Sequence, residues 1–247
     1  MKKVIVIPAR LDSSRLPKKV LLDLKGKTVI QRVYEQCLKV KNIDEVYIAT
    51  DSLEIKEVCK TFTNQVIITK STHQSGTDRI GEAISSIDCD IVINVQGDEP
   101  FIEPNLIEAL VNSFSNSEIS MASAMSKINN VKDLHNSNVV KVVTDFHNNA
   151  LFFSRSLLPF PRDVKEILTS NKVLEKCQFY RHIGIYGYRK DFLLKFVNME
   201  QSYLEKVEKL EQLRALENGF KIKMIEANSS LLGIDTQEDY EEALKKY

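Results

Sequence analysis

Four short β-branched runs constrain the fold most. Val4–Ile7, Val46–Ala49, Val66–Ile68 and Ile91–Val95 are almost continuously apolar. A strand with one wet face alternates apolar and polar residues. A strand covered on both faces does not, and such strands belong to parallel sheets. Apolar residues at helical spacing fill the gaps: Val29, Val33 and Cys37, then Ile55, Val58 and Cys59, then Ile80, Ala83, Ile84 and Ile87. This alternation predicts βαβ units and an α/β fold around a mainly parallel, doubly wound sheet. Ligands of such sheets bind beyond the carboxyl ends of the strands, so the segments after Ile7 and Val95 are where a site is expected. Further strands are expected at Val139–Val143, Ala150–Phe153 and His182–Tyr188, with longer connections. Leu157–Lys176 carries two prolines near its start and mixed charge, and reads as an excursion or lid rather than a core element. No repeat and no Pro-, Gly- or Ser-rich linker divides the 247 residues, so one mixed domain is the simplest organisation.

Charge narrows the partners. Lys plus Arg and Asp plus Glu number 34 each, without the basic excess of a nucleic-acid or membrane-surface binder. The N-terminal apolar run is broken by Pro8 and Arg10 and is too short for a signal peptide. No stretch reaches transmembrane length. Four cysteines, Cys37, Cys59, Cys89 and Cys177, form no CxxC pair and are expected to be reduced thiols in a cytoplasmic protein.

The first expected strand runs into Pro8-Ala9-Arg10-Leu11-Asp12-Ser13-Ser14-Arg15-Leu16-Pro17-Lys18-Lys19. Arg10, Arg15, Lys18 and Lys19 place four cations, beside two hydroxyls, at the ligand end of the sheet. Arginine grips phosphate oxygens with a planar fork, and lysine adds a mobile point charge. The loop lacks glycine, so it is neither a Walker A loop nor a dinucleotide fingerprint. A solvated charged turn would explain one such residue. Four together favour a phosphate.

The fourth expected strand ends in Gln96-Gly97-Asp98-Glu99-Pro100. A carboxylate there is costly without a partner or a task. Magnesium takes hard oxygen ligands, usually one or two carboxylates plus substrate phosphates. A second acid stands at Asp235. Thr236 and Asp239 read as a capping box, which leaves Asp235 free to face a site.

Five segments, in order over essentially the whole chain, resemble one family: Ile7–Arg10 with Ser14–Pro17, Thr72–Arg79, Asn94–Pro100, His182–Arg189 and Leu204–Arg214. They resemble the 3-deoxy-manno-octulosonate (Kdo) cytidylyltransferases, also called CMP-Kdo synthetases. The resemblance implies a nucleotidyltransferase fold of the glycosyltransferase-A type, with a CTP-binding half over 1–125 and a sugar-acid-binding and dimerisation half over 126–247. It implies a homodimer that converts CTP and Kdo to CMP-Kdo and pyrophosphate with magnesium, for lipopolysaccharide assembly. It implies that Ala9, Arg10, Ser14, Arg15 and Lys19 hold the nucleotide's phosphate end, with Ser75, Gly76 and Arg79 near the cytidine. Asp98 and Asp235 would bind the metal, and Arg10, Arg15, Lys19 and Asp98 would carry the catalysis. Gln96, Arg162, His182, Tyr186, Glu211 and Gln212 would line the sugar-acid site.

Taken alone, several of these positions have plainer explanations. Glu211 and Gln212 lie in an expected helix whose apolar positions are Leu204, Val207, Leu210 and Leu213. Glu211 would otherwise read as a solvated face, His182 as a satisfied buried histidine and Arg162 as a surface arginine. The chain departs from the family at Lys18, where glycine is common, at Val20, where proline is common, and at Gln237, where proline often follows the Asp-Thr pair. Rival readings are the same chemistry on 8-amino-Kdo or another keto-sugar acid, a glycosyltransferase, and a nucleotide-binding protein without catalysis. Gln96-Gly97-Asp98 lacks the Asp-any-Asp pattern of many glycosyltransferases, and the retention of both acids argues against lost catalysis.

Overall fold

The computed structural model describes residues 1–12, 15–167, 169–228 and 233–247. The strands are β1 (Lys3–Ala9), β2 (Glu45–Thr50), β3 (Val66–Ile68), β4 (Ile91–Asn94), β5 (Met121–Lys127), β6 (Lys141–Thr144), β7 (Ala150–Ser154), β8 (Tyr180–Arg189) and β9 (Ile222–Glu226). The helices are α1 (Val29–Cys37), α2 (Leu53–Cys59), α3 (Gly76–Ser85), α4 (Pro104–Ser113), α5 (Val131–His135), α6 (Lys172–Lys176), α7 (Lys190–Phe196), α8 (Tyr203–Glu208), α9 (Gln212–Glu217) and α10 (Gln237–Lys246). The fold is α/β around a mostly parallel mixed sheet. The residues gather into two compact units. The first comprises Met1–Ser115, Ile185–Val197 and Leu231–Tyr247, and the second comprises Asn116–Gly184 and Asn198–Ser230.

In the first unit β1 is the hub. It pairs in parallel with β2 through Ile7↔Ile48 and with β4 through Ile5↔Ile93, and β3 extends the sheet beyond β2. Val4–Ile7 are completely buried, as their unbroken apolar run requires. The end of β8 adds one antiparallel partner to β4, Asn94↔Tyr186. Side chains cap the connecting helices. Thr28 accepts from the Gln31 amide, Ser52 from the Ile55 amide, and Ser75 and Asp78 form a reciprocal capping box. β1 and β4 therefore end side by side.

The second unit pairs β5 with β9 in parallel and β6 with β7 and the start of β8 antiparallel. Three expectations change here. The strand expected from Val139 begins at Lys141, because the Val139 amide closes a turn on the Asn136 carbonyl. The stretch Leu157–Lys176 contributes to a core. Val173 is fully buried with Ile128, Leu134 and Phe179, and Leu157, Val164 and Leu174 pack against them. The single helix expected over Leu204–Leu213 is two, α8 and α9, broken at Lys209 in the left-handed region (φ 54°). The break lets Arg214 reach back to Glu205, at 2.6 and 2.8 Å, both residues being buried. In a continuous helix those residues would stand about 13.5 Å apart along the axis. Val207, expected on the apolar stripe, is 61% exposed.

Candidate active site

A cavity of about 300 Å³ opens at the carboxyl ends of β1 and β4, within the first unit. β1 and its loop supply Pro8, Ala9, Arg10, Asp12, Arg15, Lys19 and Val20. The start of α3 supplies Ser75, Gly76 and Arg79, preceded by His73 and Gln74. The turn after β4 supplies Gln96, Gly97 and Asp98, and the segment before α10 supplies Asp235.

Each side chain is placed by a local feature. Gly97 is needed for close approach, since a Cβ there would lie 2.9 Å from the Pro8 carbonyl and 3.2 Å from Ile30 Cδ1. Gly76 opens α3 against the Pro8 ring, where a Cβ would come within 3.3 Å. The capping box of Ser75 and Asp78 fixes the entry to that helix. Thr236 and Asp239 form the capping box that starts α10, and the Asp239 carboxylate also accepts from the Asp235 amide at 3.1 Å. The Ile234 amide donates to the Asp98 carbonyl at 2.8 Å, which draws Asp235 to Asp98. Ile234 is buried beside Leu16, Leu24 and Val29, so the basic loop and the acidic segment share one small core.

Lys19 is the centre of the charged cluster. Its Nζ donates to both Asp98 and Asp235, the latter at 2.7 Å, and Arg15 Nη2 reaches the other Asp235 oxygen at 3.1 Å. Burial pulls the Lys19 pKa down, but the two carboxylates outweigh it and the net shift is upward. For Asp235 burial pulls the pKa up, while Lys19 and Arg15 outweigh it and hold the carboxylate below its usual range. Two carboxylates thus converge on a single cationic atom. Arg10 lines the same cavity from an exposed position. Ser14, expected at the nucleotide, lies outside the described residues, as does Ser13.

Lys18 points elsewhere. It stands at φ 54°, and its Nζ is bound to both oxygens of Glu54 on α2, at 2.8 and 2.9 Å. Arg79 lines the cavity from a buried position, held by the Thr69 hydroxyl at 2.6 Å and Asp51 at 3.1 Å. Sequence reasoning missed His73, Gln74, Asp12 and Gly97 as lining residues. The Nε2 of His73 is held by Glu82, a helix residue nine positions on, so a search for charge pairs across the loop could have found it.

The residues expected at the sugar acid fall in several places. Gln96 lines the cavity, and its amide donates to Asn94 Oδ1 at 3.1 Å. Tyr186 is on β8 opposite Asn94, its ring stacked on Tyr188 at 6.1 Å. Arg162 is exposed at the start of a 3-10 turn, Arg162–Ile167. In the second unit His182 and Gln212 meet. Gln212 Nε2 lies 3.5 Å from His182 Nδ1, and His182 Nε2 lies 2.8 Å from Ser123 Oγ. Ser123 also donates to the Ile183 carbonyl at 3.3 Å, so one direction of donation, from Gln212 through His182 and Ser123, satisfies all three contacts. The His182 ring packs edge-on to Phe153, and burial pushes its pKa down to about 3, which keeps it neutral near pH 7. Glu211 is the residue before α9.

Cys37, Cys59 and Cys89 are buried free thiols, and burial pushes Cys59 up to about 12, so they are inert. No helix among the described residues is long and apolar enough to cross a membrane.

The chain matches the family model described as cytidylyltransferase over residues 4–224. It is 44% identical to a 3-deoxy-manno-octulosonate cytidylyltransferase of Geobacter metallireducens, covering 100% of this chain and 98% of the relative. It is 47% identical to one of Francisella tularensis, covering 98% and 97%. Among solved structures it is similar to a CMP:2-keto-3-deoxy-manno-octonic acid synthetase complexed with CTP. The TM-score is 0.92 and the identity 38%, over 100% of this chain and 98% of that one.

Proposed function

The chain belongs to the cytidylyltransferase family, and on that premise we propose that it transfers CMP from CTP to 3-deoxy-manno-octulosonate, releasing pyrophosphate. The observation that carries the reading is the convergence of Arg10, Arg15, Lys19, Asp98 and Asp235 on one cavity at the ends of β1 and β4. A triphosphate needs that density of cations, and a metal needs the two acids.

The donor set fits magnesium. Asp98 and Asp235 already hold one cationic atom between them, and among the described residues no group of three or more His, Cys, Asp or Glu is arranged to hold an ion. Two carboxylates completed by substrate phosphates is the usual magnesium arrangement. When bound, the ion would neutralise charge on the phosphate oxygens. In the proposed reaction the anomeric hydroxyl of the sugar acid forms a bond to the α-phosphorus, and the bond to the pyrophosphate oxygen breaks. The hydroxyl proton passes to solvent. No protein nucleophile is required. The chain's own work is alignment and charge neutralisation. Arg10, Arg15 and Lys19 hold the departing pyrophosphate, assisted by Ala9 at the end of β1 and by Ser14. Ser75, Gly76 and Arg79 place the cytidine. Gln96, Arg162, His182, Tyr186, Glu211 and Gln212 orient the sugar acid, His182 by holding the Gln212 amide with its neutral ring. The protein would act as a cytoplasmic homodimer, and its product would serve lipopolysaccharide synthesis.

A pyrophosphate-release assay tests this. Each of the four nucleoside triphosphates is offered with Kdo, 8-amino-Kdo or sialic acid, with magnesium. Release is expected with CTP, fastest with Kdo. No release from any pair containing CTP overturns the reading.

A further inference from the structure

Besides the Glu205–Arg214 pair, the break between α8 and α9 is held from outside the two helices. Lys209 adopts the left-handed conformation (φ 54°, ψ 46°), which glycine takes readily and lysine does not. The carbonyls at the end of α8 have lost their helical partners. Arg155, just beyond β7, takes them. Its Nε donates to the Glu208 carbonyl at 2.7 Å and its Nη2 to the Lys209 carbonyl at 3.4 Å, while Nη1 donates to the Ser137 carbonyl at 2.9 Å. Glu208 grips back, accepting from the Arg155 amide at 3.0 Å and the Ser154 hydroxyl at 2.7 Å. Behind Arg155 stands Lys141, completely buried. Its Nζ donates to the carbonyls of Arg155 at 2.6 Å, Val139 at 2.7 Å and Asn136 at 3.1 Å.

We propose that Arg155, braced by Lys141, is a positioning residue for the sugar acid: by clamping the Glu208–Lys209 turn it sets where Glu211 and Gln212 stand beside His182. The inference rests on the proposed role of Glu211 and Gln212. Gln212, whose amide must meet His182 Nδ1, stands three positions after Lys209. A helix running straight through Lys209 would rotate Gln212 away from that ring. The clamp is made of side chains that touch neither nucleotide nor phosphate residues, so its loss acts on the sugar acid alone.

The test measures KM for Kdo and for CTP separately in Arg155→Met, Arg155→Lys, Arg155→Met with Lys209→Gly, and Gln212→Ala. Arg155→Met raises the KM for Kdo about tenfold or more, the loss of charge-assisted hydrogen bonds, and leaves the KM for CTP unchanged. Arg155→Lys, which keeps the charge and loses the fork, moves the Kdo KM in the same direction by less. It carries the test if the methionine variant fails to fold. Adding Lys209→Gly restores much of the Kdo KM, because glycine holds the turn without the clamp. The inference is overturned if Gln212→Ala raises the Kdo KM while neither Arg155 variant does, if Arg155 substitution raises both KM values together, or if Lys209→Gly brings no recovery. If Gln212→Ala also leaves the Kdo KM unchanged, the sugar-acid reading of Gln212 falls, and the inference with it.

Discussion

Lys18 and Lys19 are neighbours in the chain whose charges end in different places. Lys18 gives its charge to Glu54 from a left-handed backbone position, and both partners are about half exposed. An exposed pair contributes about 0–1 kcal/mol, and a non-glycine residue in that conformation costs about as much. Lys18→Gly should therefore keep stability within about 0.5 kcal/mol in urea unfolding and leave CTP affinity as it was. Glycine takes that positive φ more readily than lysine. Lys19→Met should behave differently. CTP binding by calorimetry should weaken about tenfold or more, while Mn²⁺ binding without nucleotide, read by paramagnetic resonance, should tighten as Asp98 and Asp235 lose their internal cation. Stronger CTP binding or weaker Mn²⁺ binding would contradict the assignment. His182 carries a pH prediction. Its folded pKa of about 3 lies below the ordinary value of 6.5, so the unfolded chain binds the proton first as pH falls. This residue then removes up to about 1.4 kcal/mol of stability per pH unit below 6.5, until the folded ring also protonates. His182→Gln should flatten the fall of the urea midpoint between pH 6 and 4 relative to wild type. Equal slopes would refute the burial argument.

Among the elements, those with a strong local signal were legible and those made by tertiary contact were not. β1 and β4 read directly because Val4–Ile7 and Ile91–Ile93 are β-branched and covered on both faces. Their loops followed from the sheet rule, and Arg10, Arg15, Lys19, Asp98 and Asp235 do meet there. β5, Met121-Ala-Ser-Ala-Met-Ser-Lys127, was missed. It has no β-branched residue, and pairing with neighbouring strands, β9 among them, makes it a strand. The break at Lys209 was invisible for a similar reason. The spacing of Leu204, Val207, Leu210 and Leu213 is helical, but a buried ion pair between Glu205 and Arg214 overrides it. Removing one member leaves the other buried charge without that partner. Glu205→Gln should destabilise the protein by about 3–5 kcal/mol, measured as a lower urea midpoint at constant slope. A change within experimental error would mean that the break is held without this pair.

For the whole molecule, every residue lining the cavity at the ends of β1 and β4 belongs to the first unit, whereas Arg162, His182, Glu211 and Gln212 belong to the second. The cationic loop at this cavity was legible from charge and position alone. The residues expected at the sugar acid were legible only through the family, because an exposed arginine, a half-buried histidine and a helix-end pair each have an ordinary structural reason to exist. The central claim is that this chain moves CMP intact from CTP to a sugar acid. Phosphorus NMR of the protein with CTP, Kdo and magnesium tests it most directly. The three CTP resonances should give way to one phosphodiester signal and pyrophosphate in equal amounts, and Asp98→Asn should slow that conversion by orders of magnitude while its thermal unfolding stays cooperative. Cleavage to CDP and phosphate, no new phosphodiester, or undiminished turnover in the Asp98 variant at saturating magnesium would contradict the account.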